Sequence, residues 1–130
     1  MARPCPLFVP LVEAGYVDHS ALDKQQVTRL VIAQYLAEVR EAGVDTLILG
    51  CTHYPFLKPL LAEMLPPTII LIDTGAAVAR QLQRLLSDRE LLATGNPPPV
   101  QFWTSGDPQH LRNILPTLWK SPGVVRSFGV

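Results

Sequence analysis

Thr46-Leu47-Ile48-Leu49-Gly50-Cys51-Thr52-His53-Tyr54-Pro55 decides the fold of this chain. The run from Asp45 to Leu49 has no polar alternation, the pattern of a short strand buried on both faces of a parallel sheet. Gly50 ends it. Pro55 suits the first turn of a helix, which the pattern carries to about Met64. A buried strand passing into a helix within ten residues is the repeating unit of an α/β fold.

The flanking sequence extends that unit. Upstream, Pro4 to Val12 is apolar and broken by prolines, which predicts a packed loop or short strand rather than a helix. Ser20-Ala21-Leu22-Asp23 has the form of a capping box. It predicts a helix with Val27, Leu30, Val31 and Tyr35 buried, ending near Gly43. Downstream, Thr68 to Ile72 reads as a second buried strand. Asp73 or Thr74 then caps a helix from about Ala76 to Leu86. Val100 to Thr104 reads as a third strand. Asp107-Pro108 opens a last helix that Pro116 stops, and a short edge strand is expected at Val124 to Phe128 in the tail. Helix and strand alternate throughout, which predicts a doubly wound α/β architecture with parallel strands.

Composition sets the class. The chain has 130 residues, 48% hydrophobic and 17% charged, with 11 basic and 11 acidic side chains that cancel. This suits a globular domain with a real core. No basic patch or charge block points to nucleic acid or an anionic membrane. No apolar run approaches bilayer length, and the first residues lack the apolar core of a signal peptide. A cytoplasmic protein is expected. Its two cysteines, Cys5 and Cys51, give little reason for a disulfide there.

Cys51 falls at the carboxyl end of a strand, where open α/β sheets place their sites. A helix N-terminus following it would favour a thiolate or a carboxylate ligand. His53 is near enough in sequence to exchange a proton with the thiol or its substrate, and Thr52 offers a hydroxyl. These residues fit a thiolate base and a thiolate nucleophile equally. They also fit a buried packing cysteine. A metal site is disfavoured, since His19, His110 and Cys5 are scattered. Glu13 alone reads as a solvated or capping carboxylate, Cys5 as a packing residue, and Trp103 and Trp119 as core or interface aromatics. Thr104-Ser105-Gly106-Asp107 reads as a turn and cap.

Leu47 to Pro55 resembles the second catalytic-cysteine motif of the glutamate racemase family, part of the aspartate/glutamate racemases. Cys5-Pro6-Leu7-Phe8-Val9-Pro10-Leu11-Val12-Glu13 is similar to the segment carrying that family's acidic helper. Ile72-Asp73-Thr74-Gly75 and Phe102-Trp103-Thr104-Ser105-Gly106-Asp107 resemble later family segments in the same order. Histidine at position 53 fits glutamate racemases, because the related aspartate racemases typically carry an acidic residue there. The resemblance implies an amino-acid racemase (an isomerase) that interconverts L- and D-glutamate for peptidoglycan synthesis, cell-wall biogenesis and cell shape. It implies no cofactor, and Lys24, Lys58 and Lys120 sit in no pyridoxal motif. By this resemblance Cys51 removes the α-proton of L-glutamate, His53 assists, Glu13 orients His53 or the substrate ammonium, and Thr52 and His53 contact substrate.

The resemblance aligns the chain with the later half of family members, so it implies an incomplete racemase-like lobe. Residues 1–72 would form part of the second lobe, carrying the second catalytic cysteine. Residues 73–130 would return to complete a missing N-terminal lobe, which should hold the partner cysteine. Alone, the chain should be inactive, with exposed strand edges and apolar helix faces. A homodimer could bring two Cys51 residues together. The alternatives are a small thiol enzyme built on Cys51 and His53, or a non-catalytic interaction module.

Overall fold

The computed structural model describes residues 2–18 and 22–128. The chain divides into two units, residues 1–74 and 75–130. The first contains α1 (Phe8–Glu13), α2 (Leu22–Glu41), β1 (Thr46–Leu49), a turn of 3₁₀ helix (Tyr54–Leu57), α3 (Lys58–Met64) and β2 (Ile70–Asp73). The second contains α4 (Gly75–Asp88), β3 (Val100–Thr104), α5 (Pro108–Leu118) and β4 (Gly123–Ser127). β1 pairs with β2 in parallel, Thr46 opposite Ile70 and Leu49 opposite Asp73. β3 pairs with β4 in parallel, Val100 opposite Gly123 and Thr104 opposite Ser127. The protein is therefore α/β with parallel strands, arranged as two short sheets.

The first unit holds nearly all of the core. Phe8 and Val12 of α1, Ile32, Tyr35, Leu36 and Val39 of α2, Leu57 of the 3₁₀ turn, and Leu60 and Leu61 of α3 are buried together with Leu49. Phe8 anchors the cluster, packing edge-on against Tyr35 at 5.2 Å and Tyr54 at 5.1 Å between ring centroids. The segment from Phe8 is a helix, contrary to the loop or strand expected from its prolines. Pro10 is the third helical residue, where a backbone N–H has no intrahelical acceptor, so the missing donor costs no bond.

In α2 the buried face is Thr28, Ile32, Tyr35, Leu36 and Val39. Of the expected positions only Tyr35 is buried; Val27 is exposed, Val31 half-buried, and Leu30 is 73% exposed. Apolar residues run almost all the way round this helix, so spacing alone does not choose its inward face. Packing chooses it, and the Thr28 hydroxyl helps by donating to the Tyr16 carbonyl at 2.9 Å. The helix ends as expected: Gly43, at φ +60°, takes the left-handed conformation that glycine adopts without a steric penalty. Ser20 and Ala21 of the expected capping box lie outside the described residues.

Neither strand of the first sheet is buried on both faces. Leu47, Leu49 and Leu71 lie on the covered face, while Ile48 is 62% exposed and Ile70 and Ile72 are exposed beside it. Their apolar character matches a sheet covered twice, but among the described residues only one face is covered.

In the second unit Ile114 is the one buried hydrophobic residue among those described. Amphipathic α4 buries nothing and exposes Val78, Leu82 and Leu85. Asp107 caps α5, accepting from the N–H groups of Gln109 and His110. The helix continues two residues past Pro116, which was expected to stop it. A proline that far into a helix forfeits one backbone bond, and the Trp119 N–H still closes the last turn on the Leu115 carbonyl.

The inward face of α2 is testable by urea denaturation. Ile32→Ala should lose about 2–5 kcal/mol of stability, as buried aliphatic truncations do. Leu30→Ala should stay within about 0.5 kcal/mol of the parent. Equal losses would contradict the packing described.

Candidate active site

Cys51 lies two residues beyond β1, at the carboxyl end of the first sheet, and is half-buried. No α-helix follows it directly. The chain bends through residues 51–53 and enters the 3₁₀ turn Tyr54–Leu57 before α3 begins at Lys58. The first amide after the bend is occupied, since the Tyr54 N–H donates to the Cys51 carbonyl at 3.2 Å. The helix-end field expected at the thiol is thus displaced by one turn, and it falls off over that distance.

His53 is the hub. Its Nε2 lies 3.1 Å from Glu13 Oε1, and its Nδ1 lies 3.4 Å from the Thr52 hydroxyl. An ionised carboxylate only accepts, so the Nε2 facing Glu13 carries the proton. In the neutral ring Nδ1 is then the acceptor for Thr52. The result is a short relay from Thr52 through His53 to Glu13, open to solvent on one side. Glu13 is the last residue of α1, 40 positions from His53, and the fold brings them together. Among the described residues the Cys51 thiol makes no hydrogen bond to His53. Cys5 and Cys51 are both free thiols.

A second contact holds α1 against this turn. The Tyr54 hydroxyl donates to the Cys5 carbonyl at 3.1 Å and receives the Cys5 N–H at 3.3 Å. With the Phe8 ring packed on Tyr54, this clamp fixes the direction in which α1 delivers Glu13. Sequence reasoning missed this role for Tyr54, because its partner groups are backbone atoms 49 residues away. It also missed the ion pair of Lys58 with Asp73, which joins the start of α3 to the end of β2. Nothing in the local sequence of either residue marks that pairing.

Burial pushes the Cys5 thiol above its ordinary range; the Arg3 guanidinium opposes this and Glu38 adds to it. Burial likewise raises the Tyr54 phenol, against the opposing effect of its hydrogen bond with the Cys5 backbone. Trp103 and Trp119 lie in the other unit and are exposed rather than in a core. Arg126 stacks over Trp103 and Phe102 meets Trp119 edge-on.

No family model matches the chain. Glutamate racemase from Pseudomonas entomophila is 52% identical over 128 residues, which is 98% of this chain and 46% of that protein. Among solved structures, the glutamate racemase isoform RacE1 of Bacillus anthracis superposes with a TM-score of 0.81 at 25% identity, covering 97% of this chain and 45% of that one. Glutamate racemase from Francisella tularensis, solved with D-glutamate, gives a TM-score of 0.77 at 30% identity, covering 97% and 45%. The resemblance to glutamate racemases therefore holds along this whole chain in sequence and fold. The chain spans about half the length of the relatives it matches.

The raised Cys5 thiol sets a pH signature. Its neutral form is favoured by folding, so its contribution to stability is full below the unfolded thiol pKa and is lost as pH rises through the folded one. In Cys51→Ser, where Cys5 is the remaining thiol, the iodoacetamide alkylation midpoint should lie above that of the urea-unfolded chain. A midpoint at or below the unfolded value would contradict the assigned burial effect.

Proposed function

We propose that this chain, a relative of glutamate racemases over its whole length, carries one of the two thiol faces of a cofactor-independent glutamate racemase. The Glu13–His53–Thr52 relay beside Cys51, at the carboxyl end of a parallel strand, is the observation that supports this reading. Cys51 as thiolate removes the α-proton of L-glutamate, and as thiol it returns a proton in the reverse direction. His53 assists that transfer, oriented by Glu13 through Nε2. Thr52 and His53 contact the substrate.

The α-proton of an amino acid is a very weak acid. The site must therefore stabilise carbanionic charge with fixed dipoles and exclude water while the proton moves. In this chain Thr52 is exposed and one side of the relay faces solvent. Inversion also needs a second thiol on the opposite face of the substrate. Cys5 is not assigned that role: its segment matches the one carrying the acidic helper, and burial holds its thiol above the ordinary range, against thiolate formation. Both requirements are met by a further lobe, corresponding to the part of the relatives without a counterpart here. This chain is then the C-terminal half, with residues 1–72 in the Cys51 lobe and 73–130 returning to the other. The whole enzyme supplies D-glutamate for peptidoglycan synthesis in the cytoplasm.

The test is D-glutamate formation from L-glutamate. The chain alone should give none. Mixed with the remaining portion of the Pseudomonas entomophila racemase, it should turn over. In that mixture Cys51→Ser should abolish turnover, and His53→Asn should reduce it by about 10²-fold or more, the scale of a lost acid–base group. Turnover by the chain alone that is abolished by Cys51→Ser would overturn the proposal that a further lobe is needed.

A further inference from the structure

We infer that Tyr54 is a positioning residue for proton transfer at Cys51: its hydroxyl, through the Cys5 peptide and α1, sets where Glu13 meets His53. The reaction is that of the functional reading above, on which this inference rests. The coupling itself comes from the geometry of the turn and α1.

His53 and Tyr54 are neighbours in the chain, yet they grip opposite ends of one helix. The Tyr54 hydroxyl engages the Cys5 peptide just ahead of α1, donating to its carbonyl at 3.1 Å and accepting its N–H at 3.3 Å. The same carbonyl accepts the Phe8 N–H at 3.0 Å. That amide opens α1 and has no acceptor inside the helix. One oxygen therefore joins the first turn of α1 to the Tyr54 hydroxyl. At the other end Glu13 Oε1 meets His53 Nε2 at 3.1 Å. Between these ends α1 has six residues, a length of about 9 Å. Phe8 and Val12, one turn apart on its inner face, are both buried, so the helix moves as one piece. The contacts form a closed circuit: Tyr54 to Cys5, along α1 to Glu13, across to His53, and back to Tyr54 through the chain.

Tyr54 acts by position and not by chemistry. A phenol has one proton, and this one is given to the Cys5 carbonyl. Burial raises the phenol above its ordinary range, which keeps that proton in place. The hydroxyl therefore has none to offer Cys51 or a substrate. The Cys5 thiol stands outside the circuit, since its own hydrogen bond runs to the Arg3 carbonyl at 3.7 Å. The tie uses the Cys5 main chain, so shortening the side chain preserves it. Removing the Tyr54 hydroxyl opens the circuit, because the exposed Glu13–His53 bond is too weak to hold the helix end alone.

Tyr54→Phe tests this, since the ring stays packed against Phe8 and only the hydroxyl goes. In the chain alone, the NMR shift of His53 Nε2 should move toward its value in Glu13→Gln. Added to Glu13→Gln, Tyr54→Phe should move it no further, because the tie acts through Glu13. In the mixture with the remaining portion of the Pseudomonas entomophila racemase, two exchange rates in D₂O at saturating glutamate separate the faces. With the other portion's catalytic cysteine replaced by serine, deuterium entry into L-glutamate reports Cys51 alone. Tyr54→Phe should slow that entry at least about fivefold, the scale of one hydrogen bond. With Cys51→Ser, entry into D-glutamate reports the other thiol, and Tyr54→Phe should leave it within about twofold. Cys5→Ala should leave both rates within about twofold. Should Tyr54→Phe unfold the chain by circular dichroism, a fluorotyrosine at that position, a weaker acceptor for the Cys5 N–H, should move both readouts in the same directions. Equal slowing at both faces would overturn the inference, as would Cys5→Ala reproducing Tyr54→Phe. Slower L-glutamate exchange with an unmoved Nε2 would overturn it and leave the racemase reading intact. The Nε2 response with no exchange into either enantiomer in the parent mixture would support Tyr54 as the positioner of His53 and sink the racemase reading.

Discussion

The tie between the Tyr54 hydroxyl and the Cys5 peptide holds the candidate site together. One hydroxyl both donates and accepts on the same residue, 49 positions away, and the Phe8 ring packs against the same tyrosine. Those contacts lock α1 to the turn after Cys51. Only with α1 so placed does Glu13, at its far end, reach His53. Without the tie, the Glu13–His53 contact would be one solvent-exposed hydrogen bond, worth about 1 kcal/mol at most and unable to position anything by itself. The packing around Phe8 and the hydroxyl tie do the positioning, and the Glu13–His53 hydrogen bond follows from it.

The same unit is satisfied on one side and open on the other. Phe8, Ile32, Leu57, Leu60 and Leu61 are packed out of water. Ile48, Ile70 and Ile72 face outward from a sheet whose composition suits cover on both faces, and among the described residues β1 pairs with β2 alone. In the second unit α4 carries an apolar stripe with nothing buried. Parallel two-stranded sheets are marginal on their own, so these features belong together. They are the surfaces expected when the chain spans about half the length of its relatives.

Much of this was legible in the residues. The apolar run before Gly50, the proline after His53 and the Asp107-Pro108 pair placed β1, the turn with α3, and the start of α5, because each is a local signal. The helical state of Phe8 to Glu13 was not legible: Pro10 argues against a helix unless it falls in the first turn, and its register depends on where Phe8 packs. The inward face of α2 was hidden by apolar residues on all sides. Burial of Ile48 and Ile70 was overestimated, because a sequence encodes the cover a strand needs and not whether that cover is present. At the site, Cys51, Thr52 and His53 were marked by their spacing and by family resemblance, and Glu13 by resemblance alone. Its meeting with His53 is a matter of tertiary structure, as are the Tyr54 clamp and the Lys58–Asp73 pair.

The central claim is that Cys51 serves one face of the substrate. Solvent-isotope exchange in the reconstituted enzyme tests it most directly, using a partner portion whose own catalytic cysteine is replaced by serine. With Cys51 intact, deuterium from D₂O should enter the α-position of L-glutamate and not of D-glutamate, because the remaining thiol removes and returns the proton on a single face. Exchange into D-glutamate, or exchange into L-glutamate that persists in Cys51→Ser, would contradict the account.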